Sequence, residues 1–152
     1  MIKLVLIIYF QAFMGFFILP NFENPKSNNV YSNKFQLNKM KIKIGEKTYI
    51  VTLFDNPSAN ALKKLLPLTI EMKELNNNEK YGQLPKSLPT NASIPSSIQS
   101  EDLMLYGSST LVLFYKGFST TYSYTKIGKI DDIKDLEKVL GKGDAVLEFD
   151  NL

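Results

Sequence analysis

At 152 residues, 44% hydrophobic, 12% aromatic and 22% charged, the chain has the make-up of one globular domain whose core needs no cross-links. It contains no His, Cys, Trp or Arg, and all 18 basic residues are Lys; thiolate and imidazole chemistry, Cys/His zinc sites, disulfides and the arginine clamp of phosphoryl transfer are thereby excluded. The net charge of +3, or +2 with seventeen lysines against fifteen acids if Lys3 leaves with a leader, is too near balance for an electrostatic nucleic-acid binder, and no nucleic-acid partner is expected.

Lys3 precedes an apolar run from Leu4 to Leu19, broken only by Gln11 and ended by Pro20, Asn21 and Glu23. A basic residue, an apolar stretch and then polar residues form the pattern of a secretory signal. The run is shorter than the roughly 20 residues that span a bilayer, and no pair of small residues marks a cleavage point, the nearest being Ala12 and Gly15. Residues 1–20 are therefore read as a signal peptide or an N-terminal membrane anchor. Its apolar side chains occupy every face, unlike the single stripe of a core helix. The domain is expected to be exported and to touch a membrane only through this segment. Residues 21–39, rich in Asn, Ser, Lys and Pro, read as a linker, leaving 40–152 as the folded domain. The exclusive use of Lys with many Asn and Ile fits an A/T-rich bacterial coding bias.

From Met40 the pattern has period two: Met40, Ile42 and Ile44 alternate with Lys39, Lys41 and Lys43, as in a strand with one buried and one wet face. Gly45-Glu46-Lys47 makes a turn into a second strand, Thr48 to Phe54, so the two form a hairpin. Asn56 or Ser58 can cap a helix of about 58–66 with Pro57 in its first turn, Leu62, Leu65 and Leu66 on one stripe, and Pro67 at its end. Leu68 to Met72 is a short strand and Asn76-Asn77-Asn78 a loop. Tyr81 to Gln99, with Pro85, Pro89 and Pro95, reads as a long surface loop. Asp102 to Tyr106 and Leu111 to Tyr115 are strands paired through Gly107-Ser108-Ser109, and Thr120 to Ile127 is a further strand followed by Gly128 at a bend or bulge. A second helix of about 132–140, capped by Asp131 or Asp132, carries Ile133, Leu136, Val139 and Leu140 and stops at Gly141. Ala145 to Phe149 closes the series. About seven strands and two short helices predict a mainly β domain, an antiparallel barrel or sandwich.

The run from the hairpin end Leu53-Phe54-Asp55 through Pro57 into a helix with Asn60, Leu62 and Leu65 resembles the opening of cyclophilins, where a strand, a Pro-containing turn and a helix close one barrel end. Leu53 to Ala59, Leu65-Leu66-Pro67-Leu68, Leu84-Pro85 within Tyr81 to Leu88, Glu101 to Tyr106, Leu111 to Tyr115 and Ile127-Gly128-Lys129-Ile130 are similar to a bacterial family of cyclophilin-like proteins without assigned activity, over Met40 to Asp150. The resemblance implies a closed antiparallel barrel of about eight strands with two short helices. It implies no activity. Prolyl isomerases of the cyclophilin type use an Arg beside the twisting amide and a pocket with Trp and His. This chain has none of these, and Leu68-Thr69-Ile70-Glu71-Met72 stands where their Phe-His-Arg would fall. Losing such a donor costs about 3–4 kcal/mol of barrier lowering in comparable sites.

Tyr offers a large apolar face with a polar tip, so Tyr106, Tyr115, Phe118, Tyr122 and Tyr124, with Lys126 beside them, are the residues expected to form a binding groove. Packing inside strands is the competing reading for each aromatic residue, and a solvated strand face for Lys126. The adjacent acids Glu101-Asp102 and Asp131-Asp132 lack a converging partner in the pattern: strand neighbours point to opposite faces, and helix capping accounts for the second pair. No catalytic residue, metal or cofactor is expected. The reading is a non-enzymatic module for a peptide, a protein or a small ligand. Its alternative is a weak prolyl isomerase relying on backbone and Tyr donors.

Overall fold

The computed structural model describes residues 38–152; the leader and nearly all of the linker expected from the sequence lie outside the described residues. In β1 (Lys39–Ile44) Met40, Ile42 and Ile44 are buried, while Lys41 and Lys43 on the outer face meet Asp150 at 3.4 Å and Glu148 at 3.5 Å on the neighbouring strand. The alternation thus fixes which face is core, and the wet face carries cross-strand ion pairs worth little each. The chain turns at Gly45, with φ 57°, into β2 (Lys47–Leu53), which buries Tyr49, Val51 and Leu53.

Helix α1 (Pro57–Lys63) is capped by Asn56, whose side chain accepts from the Ala59 N–H at 2.8 Å. Ser58 is not a cap; its hydroxyl donates to the Pro89 carbonyl at 2.6 Å and ties the helix to the long loop. The helix ends at Lys63, short of the expected 66, and Leu65 and Leu66 pack on the core as irregular chain.

β3 (Leu68–Leu75) turns through Asn76 and Asn77, both at φ 55°, into β4 (Glu79–Gln83). Asn tolerates this left-handed backbone better than most side chains. Strand β4 corrects the sequence reading, which started a loop at Tyr81. Its inward positions are Lys80 and Gly82 and its outward ones Glu79, Tyr81 and Gln83, so no hydrophobic alternation announces it.

β5 (Asp102–Tyr106) and β6 (Thr110–Phe114) pair antiparallel, as expected. β7 is Thr125–Ile130; the predicted start at Thr120 is too early, because residues 119–123 join no ladder. Opposite Gly128 the register slips between Leu103 and Met104, the expected bulge. A Cβ at Gly128 would lie 2.6 Å from the Thr52 carbonyl oxygen, a backbone atom with little room to yield. Helix α2 (Leu136–Leu140) is shorter than predicted. Asp131 does not cap it: its carboxylate accepts from Lys39 at 2.6 Å and Thr52 at 2.5 Å, and Asp135, at φ 62°, precedes the first turn instead. Leu136 and Leu140 are buried, Val139 is partly buried, and Ile133 lies outside the stripe, exposed.

β8 (Ala145–Asn151) pairs with both β1 and β3, closing a barrel in the order β1-β2-β7-β5-β6-β4-β3-β8, every pairing antiparallel. This is the eight-stranded, helix-capped architecture that the sequence resemblance implies. Closure leaves no free edge to aggregate. The barrel is filled by the inward residues of its strands, with Ala59 and Leu62 of α1 and Leu136 and Leu140 of α2 joining the same core. The helices sit at opposite ends, α1 near Lys39 through the Lys63 ammonium and α2 near the first turn through Lys47 and Asp135.

Candidate functional site

The wall formed by β5, β6 and β4 faces two interiors. Leu103, Leu105, Leu111 and Leu113 point into the barrel, whereas Met104, Val112 and Phe114 point outward into a second cluster with Ile98 and Tyr124, against which Tyr81 and Phe118 pack. Strand alternation alone explains the division. The outer cluster is covered by loops 84–101 and 115–124, which meet in the bridges Ser93–Tyr124 and Ile98–Phe118. Between segment 118–124 and the outer faces of β4, β6 and β5 lies a groove of about 840 Å³.

Four of the six predicted binding residues line it: Tyr106 from β5, and Phe118, Tyr122 and Tyr124 from the covering segment. Their rings run as a series. Tyr122 meets Tyr106 edge to face at 6.1 Å, Tyr106 is 5.7 Å from Tyr124, and Tyr124 stands edge-on to Phe114 at 5.5 Å, with Phe118 5.7 Å beyond. Such contacts hold rings in place beyond their area burial. Tyr124 is buried beneath them, while Tyr122 is 62% exposed.

The other two predicted residues lie elsewhere. Tyr115 follows Phe114 and points away from the groove; it is packed in the barrel core, and its hydroxyl donates to both Glu74 carboxylate oxygens at 2.9 and 2.8 Å. Lys126, opposite Met104 in the β5–β7 pairing, is exposed and does not line the groove.

Sequence reasoning missed Glu79. It opens β4, lines the groove together with Tyr81 and Gln83, and is only 7% exposed. Among the described residues nothing donates a hydrogen bond to its carboxyl and no cation pairs with it. Burial, reinforced by the charge of Glu74, pushes its pKa up to about 7. Burial and then the nearby Glu79 charge push the Tyr124 hydroxyl up to about 12. A buried carboxyl without a partner, titrating near neutrality in a cleft, has the physical signature of a functional group.

The adjacent acids are accounted for structurally. Lys129 reaches Glu101 at 2.9 Å and Asp102 at 3.2 Å, and Asp131 is held as described. Among the described residues no three His, Cys, Asp or Glu side chains are placed to hold a metal ion. A second depression, of about 830 Å³, lies over α2, but apart from Tyr115 its walls are mostly charged or small groups such as Lys116, Glu137, Lys138 and Lys142.

The sequence profile of the Cyclophilin-like family matches residues 42–150, from β1 into β8. The chain belongs to the cyclophilin-like family. No curated protein matches it. The groove of this cyclophilin-like domain contains Glu79 and no Lys, and the sequence contains no Arg at all.

Proposed function

We propose that this cyclophilin-like domain is an exported, non-enzymatic binding module that takes a peptide, a protein segment or a small ligand into its tyrosine groove. The observation that carries the reading is the open groove walled by Tyr106, Tyr122 and Tyr124, two of which expose large rings to solvent. Exposed aromatic rings held by mutual edge contacts present apolar area and hydrogen-bonding tips at little entropic cost. An isomerase would instead need a preorganised donor at the twisting amide, and the ionisable side chains of this groove are one carboxyl and four phenols.

The groove is tested by nuclear magnetic resonance with a set of small amphiphilic molecules and short proline peptides. Shifts are expected to concentrate on Tyr106 and segment 118–124. Tyr122→Ala, which removes a mostly exposed ring, is expected to change stability by less than about 0.5 kcal/mol and to weaken binding about tenfold or more. Shifts confined to other surfaces, or unaltered affinity in Tyr122→Ala and Tyr106→Ala, would remove the assignment. Proline-peptide turnover above buffer that these variants abolish would turn the reading into an enzyme.

Export rests on the apolar run from Leu4 to Leu19 behind Lys3. Fractionation of cells expressing the native chain is expected to recover it outside the cytoplasm or in the membrane fraction. Recovery from the cytosol would refute this part of the proposal.

A further inference from the structure

The groove pairs an electron-rich aromatic wall with one buried acid. Tyr106, Tyr122 and Tyr124 present ring faces and edges to a common space, and Glu79 lines the same space without a donor among the described residues. Anions meet ring quadrupoles and a carboxylate there, both unfavourable; a neutral apolar ligand leaves the acid buried and unanswered. A cation satisfies both. The acid discriminates further among cations, because its oxygens accept no hydrogen bond from the chain and a cation that keeps an N–H gives them a charge-assisted one, which a quaternary ammonium cannot. The nearest strand neighbours add the apolar surface for a stem: Leu75 is exposed beside Glu79 on β3, and Val112 and Phe118 line the groove beyond.

We infer that the groove recognises an alkylammonium group that retains at least one N–H, its nitrogen against the Glu79 carboxylate and its hydrocarbon stem along the tyrosine wall. The inference rests on the binding-module reading and specifies its ligand class. The same chemistry is carried by a free alkylamine and by a lysine side chain.

The test is calorimetric titration of the full chain at about pH 8, where the carboxyl is mostly charged, with n-hexylammonium, n-hexanol, hexanoate and tetramethylammonium. Two blocked tripeptides complete the set, one with central lysine and one with norleucine. Hexylammonium is expected to bind at least about tenfold more tightly than hexanol, hexanoate or tetramethylammonium, the worth of a charge-assisted hydrogen bond. Glu79→Gln is expected to erase that margin. The variant removes a destabilising charge, so loss of folding does not confuse the result. Preference for the lysine peptide over hexylammonium assigns the group to a protein side chain, and the reverse order to a free amine; both uphold the inference. Equal binding of hexanol and hexylammonium in the groove, unchanged by Glu79→Gln, overturns it and leaves the binding module standing. Absence of any groove binding by these probes overturns the ligand class, and absence in the wider screen as well overturns the module.

Discussion

Glu79→Gln is expected to make the domain more stable by about 3 kcal/mol at alkaline pH and to leave its stability nearly unchanged near about pH 4. The carboxyl ordinarily titrates at 4.5, but burial and then the Glu74 charge move it to about 7 in the fold. The folded state therefore holds a proton that the unfolded chain has released between these values. The contribution of Glu79 is fully favourable below the unfolded value and is lost as pH rises through the folded one, at about 1.4 kcal/mol per pH unit across the window. Glutamine keeps the shape and has nothing to ionise. Glu74, Glu101, Asp131 and Asp144 are all lowered in the fold and lose their stabilising effect at acid pH, with the opposite sign. The difference between variant and wild type isolates Glu79 from them. Urea unfolding of both proteins across the pH range measures it, and a difference that stays flat with pH would contradict the assignment. A gain in stability together with a loss of ammonium binding is the trade expected of a side chain retained for recognition.

Lys80→Met is expected to cost about 3–5 kcal/mol, the largest single loss we anticipate. Lys80 is fully buried inside the end of the barrel, where its ammonium donates to Glu74 and to the Gly141 and Gly143 carbonyls, at 3.1 and 2.5 Å for the latter two. It thus binds β3 and β4 to the chain leaving α2. Burial works to raise the Glu74 carboxyl, but hydrogen bonds from Lys80 and Tyr115 outweigh it and hold the group below its ordinary value. Methionine fills the volume but leaves the Glu74 charge without its counter-cation, held by the Tyr115 hydroxyl and the Asn77 N–H alone, and the Gly141 and Gly143 carbonyls without the Lys80 donor. The double variant Lys80→Met/Glu74→Gln is expected to recover part of the loss, since a part-buried charge deprived of its counter-cation is the main penalty. Guanidinium unfolding of the three variants reads these values. A loss below about 1 kcal/mol would class Lys80 with ordinary surface ion pairs.

The same two residues explain what the sequence concealed. Strands whose inner face is apolar, such as β1 with Met40, Ile42 and Ile44, were legible from alternation, as were the β1–β2 and β5–β6 hairpins, and the glycine itself marked the bulge at Gly128. β4 was not, because its inner face carries a lysine satisfied by distant carbonyls and a glycine beneath Ile70 and Met72. Glu79 was lost with it. The β5–β6 pair offered an indirect signal: β7 takes one side of β5, and a closed barrel requires another strand beside β6. Tyr106, Phe118, Tyr122 and Tyr124 were found by residue type, but type alone did not separate them from Tyr115, whose direction depends on its place one residue after Phe114. The overlong strand at Thr120 has a similar cause: Tyr122 and Tyr124 alternate like a ladder, yet they serve a loop lying over the wall.

A partition with an interior on either side lets one chain do two jobs that rarely conflict. Residues 119–123 belong to no strand and send nothing into the cylinder, although Ser119, Thr120, Thr121 and Tyr122 help shape the groove. Substitution or lengthening there can change what is recognised while Leu103, Leu105, Leu111 and Leu113 go on filling the space behind. A graft of foreign sequence for altered selectivity would be placed at this rim, where the scaffold asks least of it.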